Sequence, residues 1–124
     1  MAIVISRSES QLAATTSFQA LDNLGGASVS SSFTVPTNVS AIKSLTISVT
    51  ADGAEEFVPL VKVSGNSMKD GDAVFAGAPI MGAIAMQSQQ YDTDLKVQPG
   101  NSCEFSIAVT DAATISAVVT AQFS

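Results

Sequence analysis

Seven of the eleven acidic residues fall in three short stretches. Asp52, Glu55 and Glu56 lie in ADGAEEF, Asp70 and Asp72 in MKDGDAV, and Asp92 and Asp94 in QYDTDLK. Calcium takes several oxygen ligands, and such loops could supply them if they met at one edge of a fold. None of the three has the spacing of an EF-hand loop. Aspartate beside glycine also simply makes turns and carries solubility, and that is the reading adopted here. No required ion or other cofactor is expected. Were a cation held, Asp52, Glu55, Glu56, Asp70 and Asp72 are the candidate ligands. Paired carboxylates can also hydrolyse glycosides. The chain has no tryptophan, one tyrosine and no histidine, so it lacks both the aromatic platforms for a sugar and the usual acid–base partner. Without histidine there is no Ser-His-Asp or Cys-His site and no histidine metal site. The expectation is a protein that is not an enzyme.

Cys103 is the only cysteine, so no internal disulfide can form. It alternates in phase with Phe105 and Ile107 and reads as a small buried hydrophobe. Tyr91, alone in QSQQYDTD, has two readings: an anchor for a contact with another protein, or a cap on the end of the fold. The contact is favoured, because glutamine, serine and tyrosine lose their water at low cost.

The surface that surrounds these groups is short of charge. Charged residues make up 13% of the chain, about half of the usual share of roughly 25%, and Ser, Thr, Gln and Asn take their place. Such a surface suits burial against protein, since stripping water from a charge costs more than stripping it from a hydroxyl. The net charge is −6, and the cations Arg7, Lys43, Lys62, Lys69 and Lys96 are scattered. Binding a nucleic-acid backbone needs clustered cations, so direct nucleic-acid binding is not expected. The start MAIVISRSESQ reads as no secretory signal, and no apolar run has the length of a membrane helix. The expectation is a protein made inside the cell, in the cytoplasm, without a signal peptide and with no membrane partner.

Period two dominates the rest. Leu45, Ile47 and Val49 alternate with Ser44, Thr46, Ser48 and Thr50. Cys103, Phe105, Ile107 and Val109 share one face, and so do Ile115, Ala117, Val119, Ala121 and Phe123. Alternation of this kind gives strands with one buried and one polar face. The weak helical exception is Ser10 to Leu21, which Thr15 and Thr16 disfavour. Turn residues recur at Gly25-Gly26, Asp52-Gly53, Gly65-Asn66, Asp70-Gly71 and Pro99-Gly100. The pattern predicts an all-β antiparallel sandwich of about eight strands, with jelly-roll topology leading. The strands fall near 2–7, 13–19, 27–35, 40–51, 57–64, 73–86, 94–98 with 102–110, and 114–123. Residues 27–124 form the sandwich domain. Residues 1–26, with Ile3, Val4 and Ile5 and a Gly25-Gly26 end, form a strand or an arm that crosses to a neighbouring subunit.

One stretch breaks the alternation. AVFAGAPIMGAIAM, residues 73–86, holds no charge, hydroxyl or amide side chain. Pro79 excludes an uninterrupted central strand, and Gly77 and Gly82 permit a bend. Two short strands joined by a kink follow, 73–76 and 80–86. The second is apolar on both faces, so one face meets the core and the other needs a further surface. That surface is a second protein chain, a lipid or the chain's own loops; the reading taken is a second chain. The expected contact residues are Ile80, Met81, Ile84 and Met86, with Tyr91, Ile3 and Ile5. Met81 and Ile84 have opposite strand parity, so one should enter the core and the other the contact.

The pattern VPTNVSAIKSLTISVTADG followed by FVPLVKVSGNSMKDGDAVFAGAP resembles small virion β-sandwich proteins of phages and other icosahedral viruses, over Val35 to Pro79. In these a "VP…V" lead-in precedes an alternating Ile/Leu/Val strand and an Asp-Gly turn. The resemblance implies a capsid, minor capsid or decoration subunit in a virion. Its partners would be copies of itself, as a trimer or pentamer, and other capsid proteins. It transfers no functional residue. Small jelly rolls also serve as carbohydrate- or receptor-binding modules on virion or cell surfaces, and that is the alternative function.

Overall fold

The computed structural model describes residues 3–82 and 86–124. Its strands are β1 (Ile3–Ala14), β2 (Gln19–Ala20), β3 (Asn23–Leu24), β4 (Ala27–Ser28), β5 (Ser32–Thr34), β6 (Ala41–Ala51) and β7 (Glu56–Phe57). The remainder are β8 (Pro59–Ser64), β9 (Ala73–Ala76), β10 (Ile80–Met81), β11 (Gln87–Lys96), β12 (Ser102–Val109) and β13 (Ala113–Phe123). A large sheet runs in the order β11-β6-β13-β1-β3-β4, and a smaller one runs β2-β12-β8-β9, with β5 also on β12. β10 pairs with β7 apart from both. The pairings are antiparallel. The expected all-β antiparallel sandwich is what the chain forms.

The inward faces of the two sheets make one core. Leu45, Ile47 and Val49 from β6 and Ile115, Val119 and Phe123 from β13 meet Val61 and Val63 from β8 and Phe105 and Ile107 from β12. Cys103 is buried among them, as its phase required, and burial pushes its thiol pKa up. Phe33 packs on Phe105 and Phe123 at centroid distances of 5.1 and 6.0 Å, and the Arg7 guanidinium lies 5.2 Å from its ring. The β8–β9 connection turns at Gly65. There φ is +132°, and a β-carbon would stand 2.6 Å from the Ser102 carbonyl oxygen, so no side chain fits.

The sequence expectations need two corrections in this layer. Ser10–Leu21 is not helical among the described residues: β1 runs on to Ala14 and β2 follows. A bulge between Glu9 and Leu12 hides the strand's period, because Gln11 at φ 55° is left-handed and shifts the register. β11 begins at residue 87 and not near 94. Its inward residues are Gln87, Gln89, Tyr91, Thr93 and Leu95, and the three polar ones mask the alternation. Residues 3–14, read as a strand or a crossing arm, pair with β13 of the same chain from Ile3↔Phe123 to Ala14↔Ala113.

Candidate association face

The outward face of the large sheet is set by register. Val4, Gln122, Ser44 and Asp92 form one row across β1, β13, β6 and β11. Ser6, Thr120, Thr46 and Gln90 form the next, and Ser8, Val118, Ser48 and Ser88 the third. Ser116 and Thr50 begin a fourth. These rows hold one ionisable side chain, Asp92, at the β11 edge. Hydroxyls tie neighbouring strands together: Ser6 Oγ and Thr120 Oγ1 share a hydrogen bond of 2.6 Å, and Ser48 Oγ and Ser88 Oγ one of 2.9 Å. Ser44 Oγ donates to Gln122 Oε1 at 3.4 Å. Such a face can accept or donate in either direction, and it carries little that resists loss of water.

Two apolar features break the hydroxyl pattern. Val4, at one end, is 62% exposed. At the other end lies a depression of about 350 Å³, with Ala117 and Val118 among its lining, Met86 on its rim, and Ser8, Asn23 and Gly26 around it. Met86 is 60% and Val118 39% exposed. Glu9 also lines it. Its carboxylate accepts from Asp22 N and Asn23 Nδ2, both at 3.2 Å, which fastens β3 to the β1 bulge. Partial loss of water, with Asp22 nearby, holds the Glu9 pKa above the usual carboxylate value. At the opposite rim Asp94 accepts from Lys43 Nζ at 2.6 Å and Lys96 Nζ at 3.0 Å, and these bonds lower its pKa.

The residues expected at an interface scatter. Ile80 is fully buried opposite Phe57 and belongs to the chain's own core; the proline-broken strand turns it inward. Met81, its neighbour, is exposed. Met86 lies on the face just described, and Ile84 lies outside the described residues. Tyr91 points inward beside Phe75, ring centroids 5.3 Å apart, and closes the seam between the β11 and β9 edges. It is not an outward anchor: Tyr91 pairs with Leu45 and so shares its inward face. Ile3 and Ile5 pack against the core from β1. Val4 between them is the outward residue. Val118 was not among the expected contacts, although a valine among Thr114, Ser116, Thr120 and Gln122 was a visible sign.

The acidic loops make no cation site of three or more ligands among the described residues. Asp52, Glu55 and Glu56 lie by the β6–β7 connection, and Asp70 and Asp72 in the β8–β9 connection.

No protein-family model matches the chain, and no curated protein matches it. Solved structures do. The globular domain of the zebrafish complement 1qA protein superposes with a TM-score of 0.56 at 13% identity, over 97% of this chain and 94% of that one. The cyanophage Pam1 capsid does so with a TM-score of 0.54 at 15% identity, over 98% of this chain and 83% of that one. The fold is a jelly roll. The resemblance to virion β-sandwich proteins is met at the level of fold by the Pam1 capsid.

Proposed function

We propose that this chain is a structural subunit of a virion shell, a capsid, minor capsid or decoration protein, and that it associates with copies of itself and with other shell proteins. The observation that carries this reading is the outer face that β1, β13, β6 and β11 form in the large sheet, whose rows hold charge only at the β11 edge, with Glu9 at the β1 bulge. In a chain of net charge −6, it offers copies a surface whose rows carry one carboxylate, Asp92 at the edge, with Glu9 at the β1 bulge. The jelly-roll fold it shares with a chain of the Pam1 capsid asymmetric unit supports the same reading. The role proposed is non-catalytic.

Sedimentation equilibrium of the purified chain over a range of concentrations tests this. A defined oligomer is the expected result. A folded chain that stays single at every concentration overturns self-association. The depression beside Met86 favours one other reading, a module that binds a carbohydrate or receptor on a virion or cell surface. Saturable binding of glycans by the single chain would establish that reading instead.

A further inference from the structure

The two apolar features of the face stand at opposite ends of it. Val4 projects in the first row, and Ser8 and Val118 stand in the third, over the depression. The row between them is Ser6, Thr120 and Thr46 with Gln90. A two-fold axis lying in the face along that middle row turns the first row of one copy onto the third row of the other. Val4 of each copy then lies over Ser8 and Val118 of its partner, at the mouth of the depression. The knob and the hole meet twice in one closed pair.

We infer that a second copy of this chain docks on this face with its strands reversed, Val4 of each copy seated at the depression of the other. The inference rests on the reading that the chain self-associates, and it names the surface and the symmetry. Three features of the face carry it. The contact is isologous, so one surface must complement itself. Serine and threonine hydroxyls do so because each both donates and accepts. Its charged groups sit at the rims: Glu9 beside β3, and Asp92 and Asp94 along β11 with Lys43 and Lys96. The central rows therefore come together without like charges facing one another. The size is also sufficient. Four strands about 4.8 Å apart and four outward positions about 6.8 Å apart make a face on the order of 500 Å². A pair buries about twice that, the lower bound for a specific interface.

Charge exchange tests the inference on the full chain. Val4→Lys and Val118→Glu are prepared separately, and circular dichroism checks that each is folded. Sedimentation equilibrium then measures each variant alone and the two mixed in equal amounts. Each variant alone should self-associate at least about tenfold more weakly than the natural chain, because it sets a charge against an apolar partner at both contacts. The mixture should recover the pair, since one contact then sets the introduced ammonium against the introduced carboxylate and the other remains valine on valine. Recovery supports the reversed pair. Two weakened variants that do not recover on mixing overturn it, and so do two variants as strongly associated as the natural chain; in that last case self-association itself still stands. A natural chain that is single throughout defeats self-association and the pair with it. If Val118→Glu fails to fold, Ser48→Glu replaces it, because Ser48 lies directly opposite Val118 in the same row.

Discussion

The outward residues of β13 and of β12 follow the same alternation yet end in different surroundings. On β13, in the large sheet, Ser116, Val118, Thr120 and Gln122 face outward, and no element of the described chain covers them. On β12, in the small sheet, Ser106 and Ala108 also point away from the core but are buried. Residues 15–21 run beside them: Val109 N donates to the Thr15 carbonyl and Leu21 N to the Phe105 carbonyl. Lys62, opposite Ser106, lies 4.9 Å from the Phe18 ring. The small sheet's outward β12 residues are buried, with Phe18 beside Lys62 on that face, and it keeps a charge there. The large sheet leaves its face open and keeps charge to the rim. Alternation tells which side is the core; the distribution of charge tells which outer side awaits another surface.

The strongest way to break this contrast is to place one aspartate on each outer face. Ala108 is 1% exposed, so Ala108→Asp puts a carboxylate where water cannot follow, at a cost of several kcal/mol, about 3 or more. Thermal unfolding should show a large fall in Tm, or a chain that does not fold. Val118→Asp should change folding stability by less than about 1 kcal/mol and act on association instead. Equal losses of Tm in the two variants would erase the difference between the faces.

The seam beyond the faces comes next. Tyr91 and Phe75 close the gap between β11 and β9, and both are partly buried. Tyr91→Ala should lower stability by about 1–3 kcal/mol through lost apolar and ring contact, read by denaturant unfolding. Its association should match the natural chain's at temperatures where it is folded. A variant of unchanged stability that no longer associates would return Tyr91 to the role of contact residue.

The two exposed methionines sharpen the contrast within the stretch that first suggested an interface. Met86 borders the depression and Met81 does not line it. Both Met81→Asp and Met86→Asp should leave folding stability within about 0.5 kcal/mol. Sedimentation should show weaker association for Met86→Asp alone. Weakening by Met81→Asp instead would move the contact from the large sheet to β10.

What could be read from the residues follows the same division. The core strands β6, β12 and β13 were legible because each inward position is apolar and each turn is marked by Gly, Pro or Asp. β11 was not, because Gln87, Gln89 and Thr93 take inward positions near the edge of the sandwich, where polar side chains retain access to water. The continuation of β1 was hidden by the left-handed Gln11, a conformation that sequence does not announce for a residue other than glycine, asparagine or aspartate. At the face, Met86 was legible as an apolar residue with nothing of its own to cover it. Ile80 was misread because the kink at Pro79 sets its direction. The whole face was not legible, since which strands lie side by side, β11 on β6 and β1 on β13, is decided by long-range pairing.

The smallest expected effect separates the two rims of the large sheet by pH. At the β11 rim, the Lys43 and Lys96 ammonium groups bond to Asp94 and lower its pKa below the ordinary 3.8. A depressed pKa means the folded chain holds that proton less tightly than the unfolded chain. The contribution is complete above 3.8 and is lost as the pH falls through the lowered value. At the β1 bulge, partial burial, with Asp22 alongside, raises the Glu9 pKa above the ordinary 4.5. The folded chain then holds that proton more tightly, so its contribution is present at and below 4.5 and is lost as the pH rises through the raised value. Asp94 is fully exposed, so its effect is small and weakens with salt. In Tm measured against pH, Asp94→Asn should flatten the slope on the acid side of 3.8, and Glu9→Gln the slope on the alkaline side of 4.5. Identical pH profiles for the two variants would show that the carboxylates at the two rims are not held in opposite senses. Charge would then be arranged around this face more evenly than the bonds to Lys43, Lys96, Asp22 and Asn23 imply.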